Sequence, residues 1–169
     1  MKRKVRILAA ILMFALWGPM AWAQTSVDTT KPEAVAAELY TRLKASDWKG
    51  AAALFDDGAL KSFRGMLQPI ADAASASDQE AGAALFGGIK PEALKQASDA
   101  EFFAMFMGNL MSRLSSLGGG LGPSQIIGSV AEGEDLRHVV ARTNANAMGI
   151  SVTKMEVVSM RRRGDAWKV

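Results

Sequence analysis

The sequence predicts an α+β domain, with N-terminal helices packed on a curved C-terminal antiparallel sheet of about four strands. Three observations predict it. Apolar residues recur at helical spacing up to residue 117. A glycine-rich stretch, "LGGGLGPS", follows. Beyond Pro123 the chain turns to β-branched runs broken by Gly-containing pairs. Helices first and a meander last place the helices over one sheet face.

The first 23 residues are read apart from the fold. Lys2, Arg3, Lys4 and Arg6 precede an uncharged apolar run, Ile7–Trp17, and Gly18-Pro19 breaks it. Ala21 and Ala23 then supply small residues at a cleavage site. A basic head, short apolar middle and small-residue exit form a secretory signal peptide, so cleavage is expected between Ala23 and Gln24. A spanning helix needs ~20 apolar residues, more than this run supplies. The expectation is an exported protein, periplasmic or secreted, with no membrane span after cleavage. Residues 24–29 are expected to be a disordered start, and residues 30–169 a single domain.

Removing the leader changes the charge. The chain holds 20 basic and 17 acidic residues, and the leader takes four of the basic ones and no acid. The remainder carries one acid in excess. Nucleic acid is therefore not expected as a partner, since binding it requires a basic surface that displaces counterions. There is no cysteine, which excludes disulfides, thiol catalysis and Cys-ligated zinc. One histidine cannot build a multi-His site, and no cofactor or metal is expected.

The helical part, residues 30–117, opens with Thr30 and Glu33 at capping-box spacing and Pro32 in the first turn. Ala36, Leu39, Tyr40 and Leu43 form one helical face. Ser46 and Asp47 end that helix and can cap the next, Trp48–Phe55. Ala59–Leu67 continues helically and should stop before Pro69. Ser77 with Glu80, and Lys90-Pro91-Glu92, are further helix starts, and Gly87-Gly88 is a stop. Ser98 and Glu101 form a second capping box. It opens the most apolar helix, "EFFAMFMGNLMSRL", where Phe103, Phe106, Leu110 and Leu114 share a stripe that Phe102, Met105, Met107 and Met111 widen. Residues 118–123 read as a linker, and residues 124–169 as the meander. Its turns fall at Gly133-Glu134-Asp135, Met148-Gly149 and Gly164-Asp165. The last strand is short for a sheet partner, so a few residues past Val169 are expected in the natural protein.

Several motifs are weaker than they look. "AVAAELYTRLKASDWKGAAALF" has the look of a tetratricopeptide unit, but that architecture needs stacked copies and no second copy occurs. "GGGLG" lacks the Lys of a phosphate loop and follows a helix instead of a strand. Arg163-Gly164-Asp165 reads as a hairpin turn. Arg161, Arg162 and Arg163 read as a solvated strand end, and the acid clusters at 56–57 and 132–135 do not fit a calcium loop.

Two groups of site candidates remain. Histidine is a common acid or base in pockets, and His138, a catalytic candidate, shares a strand face with Leu136, Val140 and Arg142; Tyr40 is a second catalytic candidate. Phe103, Phe106, Met107, Leu110 and Arg142 are candidates for lining a ligand cavity, because methionine adapts to irregular surfaces.

The helix with Glu38-Leu39-Tyr40, the "DW…AAALF" segment after it and the meander ending "VVSMRRRGDAWKV" resemble the nuclear transport factor two-like superfamily, a cystatin-like α+β roll. Within it they are similar to the small exported bacterial members of unknown function. The resemblance covers roughly residues 30–70 and 124–169. It implies a cone of helices against a strongly curved sheet, with a cavity between. Some members are isomerases or dehydratases with an Asp, His or Tyr in the cavity, and others bind ligands or partner chains.

The expected function is thus an exported non-enzymatic domain that binds a small apolar ligand or an envelope protein. The alternative is an isomerase- or hydrolase-type enzyme with His138 in an interior cavity. A homodimer pairing through the exposed sheet face is a further expectation.

Overall fold

The computed structural model describes residues 27–75 and 86–169. The leader with its Ala23–Gln24 cleavage site, and the helix start at Ser77 and Glu80, lie outside the described residues. Among those described, five helices precede a four-stranded antiparallel sheet. The helices are α1 (Pro32–Lys44), α2 (Trp48–Ala52), α3 (Asp57–Ser75), α4 (Pro91–Gln96) and α5 (Asp99–Ser116). The strands are β1 (Gly120–Glu132), β2 (Leu136–Ala147), β3 (Ile150–Arg163) and β4 (Ala166–Lys168), paired in chain order. The α+β reading therefore holds.

Local chemistry explains most boundaries. The Asp47 side chain accepts from Gly50 N at 2.9 Å and starts α2. Pro91 starts α4 at a position where no intrahelical N–H bond is lost. Ser98 and Glu101 form a reciprocal capping box at the head of α5. Gly164, at φ 60°, turns β3 into β4.

Four expectations are corrected. Thr30 does not cap α1: its hydroxyl bonds Asp28, Lys31 occupies the cap position without a side-chain bond, and Glu33 accepts from Ser129 of β1 instead. Pro69 does not end α3, which runs through it. Phe63, Leu67, Ile70 and Ala71 lie on both sides of the proline and pack into one cluster; that burial outweighs the ~3 kcal/mol cost of an interior proline. The supposed linker 118–123 already contains the start of β1, at Gly120. A side chain on Gly122 would sit 2.9 Å from Asn144 Cβ, so glycine there reflects close strand approach, not looseness. Finally, residues 27–29 of the expected disordered start are tied down: Val27 packs on the core and Thr29 O accepts from Trp167 N at 2.8 Å.

The interior has two apolar clusters. One joins Val35, Ala36 and Leu39 of α1 and Ala51 and Ala52 of α2 to Phe103, Val139, Met160 and Trp167. The other joins Ala71, Phe86, Leu94 and Ala97 to Phe102 and Phe106. Phe63 bridges them, its ring 5.3 Å from Phe103 and 5.4 Å from Phe106. Arg64 fixes α3 to the α4–α5 junction, bonding the Leu94 and Ala97 carbonyls with its guanidinium 5.2 Å over the Phe102 ring.

Strand alternation sets what faces the helices. Val139, Ala141 and Thr143 of β2 are buried, on the inner face. His138, Val140 and Arg142 occupy the other phase. The β2–β3 register is unbroken from Leu136↔Arg161 to Ala147↔Ile150, so this division persists along the strand.

Candidate functional site

A cavity of about 180 Å³ lies between α1, α5 and the inner face of β1, β2 and β3. Tyr40 and Leu43 enter from α1, Met107 and Met111 from α5, and Leu121, Thr143 and Glu156 from the sheet. Helical spacing puts each pair on one face: 40 and 43 are three apart, 107 and 111 four.

The wall is apolar with one polar side. The Tyr40 hydroxyl donates to Glu156 Oε2 at 3.2 Å, and Lys154 Nζ lies 2.5 Å from Glu156 Oε1. Burial acts to raise the Glu156 carboxyl, but bonding to Lys154, the lysine charge and contacts from Tyr40 and Thr143 together hold it below its ordinary value. Glu156 is thus a carboxylate. Tyr40 moves the other way, pushed up to about 12 first by burial and then by the neighbouring carboxylate. Thr143 Oγ1 is buried and has no hydrogen-bond partner of full geometry. Such a group costs about 1–3 kcal/mol when left unmade.

Of the residues anticipated for this cavity, Met107 lines it. Phe103 and Phe106 do not; both are packed in the apolar clusters. Leu110 packs against the second cluster. Arg142 is exposed and lies on the opposite sheet face from Thr143. Leu114 is likewise exposed, outside the stripe assigned to it.

His138 is also on the outer face, so it and Tyr40 stand on opposite sides of the sheet. That corrects the placement of His138 in an interior cavity. Instead Nδ1 lies 2.9 Å from Ser159 Oγ and Nε2 2.5 Å from Glu132 Oε2. The residue types are those of a hydrolytic triad, yet Ser159 and Glu132 are exposed. Electrostatic catalysis relies on a water-excluded setting, which this open surface does not provide. His138 and Ser159 border an outer groove completed by Ala59 and Ser62 of α3 and by Arg161 and Arg163.

Sequence reasoning missed Thr143 and Glu156. A signal for Glu156 existed: it is the one acid within "ISVTKMEVVSM", in phase with the buried Met160. Thr143 was hidden because Val139 and Val140 are both apolar, leaving the phase of β2 ambiguous.

No helix among the described residues is long and apolar enough to cross a membrane. Nor, among them, do three or more His, Asp or Glu side chains gather as a metal site. No protein-family model matches the chain, and comparisons with curated proteins and with solved structures find no match.

Proposed function

We propose that this domain is a non-enzymatic binding module, exported by its N-terminal leader, that takes a small apolar ligand with one polar group. The ligand enters the cavity between α1, α5 and the sheet. The Thr143 hydroxyl carries this reading: buried, lining the void and making only a loose contact with Glu156, it is a ready partner for a ligand hydroxyl or carbonyl. Size limits the ligand. An engineered apolar cavity of ~150 Å³ holds benzene, so this void suits a single ring or a short chain. Leu43, Met107, Met111 and Leu121 supply the apolar wall, and the methionines can adjust to its shape.

Phenol is the test probe, because it combines a ring with one hydroxyl. At a Kd of roughly 1 mM, about 10 mM phenol stabilises the fold by about 1.4 kcal/mol through mass action. The thermal midpoint should rise, and the Met107 and Met111 methyl resonances should shift on titration. Met107→Trp, which fills the void, should abolish both effects. Unchanged methyl resonances at that concentration would refute the reading.

A further inference from the structure

A surface groove of about 450 Å³ runs between the α1–α2 turn and α5 and ends at the start of β1. It shares Leu43, Met111 and Leu121 with the inner cavity. The shared residues come from three elements, and none is fully buried. They order the two spaces. Of the two, Tyr40, Thr143 and Glu156 line the cavity alone, and Trp48, Ser112 and Ser115 line the groove alone. The polar groups therefore stand at the inner end, the shared side chains come next, and the groove lies beyond them. Both helices advance in this direction: Leu43 lies about one turn past Tyr40, and Met111 about one turn past Met107. What lines both spaces is leucine and methionine, and methionine in particular can repack around a guest.

Trp48 is the largest side chain of the groove. It is half-buried and joins neither apolar cluster. Gly108 of α5 faces it: a Cβ there would lie 3.3 Å from the indole. Glycine inside a helix is less stable than alanine, and here the missing side chain leaves room for the ring. Ser46, at φ 59°, makes the left-handed turn out of α1 that leads the chain to Trp48. Leu43, Met111 and Leu121 extend the apolar surface beside the indole, while Lys44, Ser46, Ser112 and Ser115 are exposed at the rim. Lys44 has the exposed Asp47 close by in the chain, so charge selects no occupant. An apolar group gains by leaving water along the Trp48 side.

We propose that the ligand is a hydroxylated ring with an apolar arm para to the hydroxyl, an inference that rests on the cavity reading above. The hydroxyl meets Thr143, the ring fills the void, and the arm passes between Leu43 and Met111 to lie against Trp48. A void of ~150 Å³ holds benzene, and this one is about 180 Å³, so whatever extends beyond the ring must leave it. The shared wall makes the groove the place it enters. A butyl arm is close in length to the rise of one helical turn, ~5.4 Å.

The test compares phenol with 4-butylphenol by NMR titration of residues 24–169, which contain every described contact of the fold. That stretch has two tryptophans, Trp48 and Trp167, and Trp48→Phe assigns their indole N–H signals. Both compounds should shift the Met107 and Met111 methyls. Only 4-butylphenol should shift the Trp48 indole, with Trp167 left in place. It should bind about tenfold or more tightly than phenol, as the methylenes of the arm leave water. Ser112→Phe, at an exposed position on the groove side of α5, fills the groove: phenol affinity should hold, and the advantage of 4-butylphenol should fall severalfold. Phenol binding with no gain for 4-butylphenol, a gain without a Trp48 shift, or a gain that survives Ser112→Phe overturns the route of the arm and leaves the cavity reading standing. If neither compound shifts the methionine methyls, the cavity reading falls and the arm falls with it.

Discussion

The Tyr40 hydroxyl reaches Glu156 across the junction of α1 and β3, 3.2 Å from Oε2. These two groups are 116 positions apart in the chain and form the polar side of an otherwise apolar cavity. Their bond has consequences that can be read without knowing the ligand.

The chain has a single tyrosine, so the ultraviolet absorbance of tyrosinate reports Tyr40 alone. Its midpoint should lie near 12 in the folded protein and near ~10 in denaturant. Because the folded value is raised, the stability this group contributes is complete below pH ~10 and is lost as the pH climbs toward the folded value. Glu156→Gln removes the neighbouring negative charge and should lower the midpoint only part of the way, since burial is the larger cause. A native midpoint at the denatured value would show that the contact does not form.

His138→Ala should cost less than about 1 kcal/mol in stability, because its partners Glu132 and Ser159 are exposed. Phenol affinity should not change. A loss of phenol binding would bring His138 back to the cavity, against the strand phase described above.

Two caps with the same sequence spacing should behave differently. Ser98→Ala should cost about 1 kcal/mol, measured by denaturant unfolding, since Ser98 and Glu101 cap α5 reciprocally. Thr30→Ala should cost nothing through capping, because Lys31 holds that position. The pair shows where the sequence was legible. Caps and turns such as Ser98, Pro91 and Gly164 are decided by a few adjacent residues, and they came out as expected. Glu33 was decided by Ser129, 96 positions away, and no local rule could register it. The cavity was half legible for the same reason. The methionines of α5 announce an adaptable surface, but which face of β2 turns inward depends on packing that the Val139-Val140 pair leaves open.

Pro69→Ala tests whether tertiary burial overrides local propensity in α3. Pro69 is exposed, so alanine meets no neighbour, and it restores the N–H that bonds to the Gly65 carbonyl in a regular helix. The unfolding free energy should rise by at least about 1 kcal/mol, part of the ~3 kcal/mol an interior proline costs. No gain would mean that the helix has relaxed around the proline and already recovered the energy.

Thr143→Val bears most directly on the cavity. Threonine and valine have nearly the same shape, so the exchange deletes one hydroxyl and leaves the inner face of β2 otherwise filled. If that hydroxyl is buried and unmatched in the ligand-free protein, removing it should stabilise the fold by about 1 kcal/mol, at the low end of the cost of an unmade bond. The same exchange should weaken phenol about fivefold, the loss of one neutral hydrogen bond of about 1 kcal/mol. Benzene, which has no hydroxyl, should bind both proteins equally. This combination of higher stability and lower affinity for the hydroxylated ring alone is hard to obtain unless the strand sets the hydroxyl aside for a guest. Were valine destabilising instead, Thr143 would be satisfied within the fold, through Glu156, and the cavity would have no unmet group to offer.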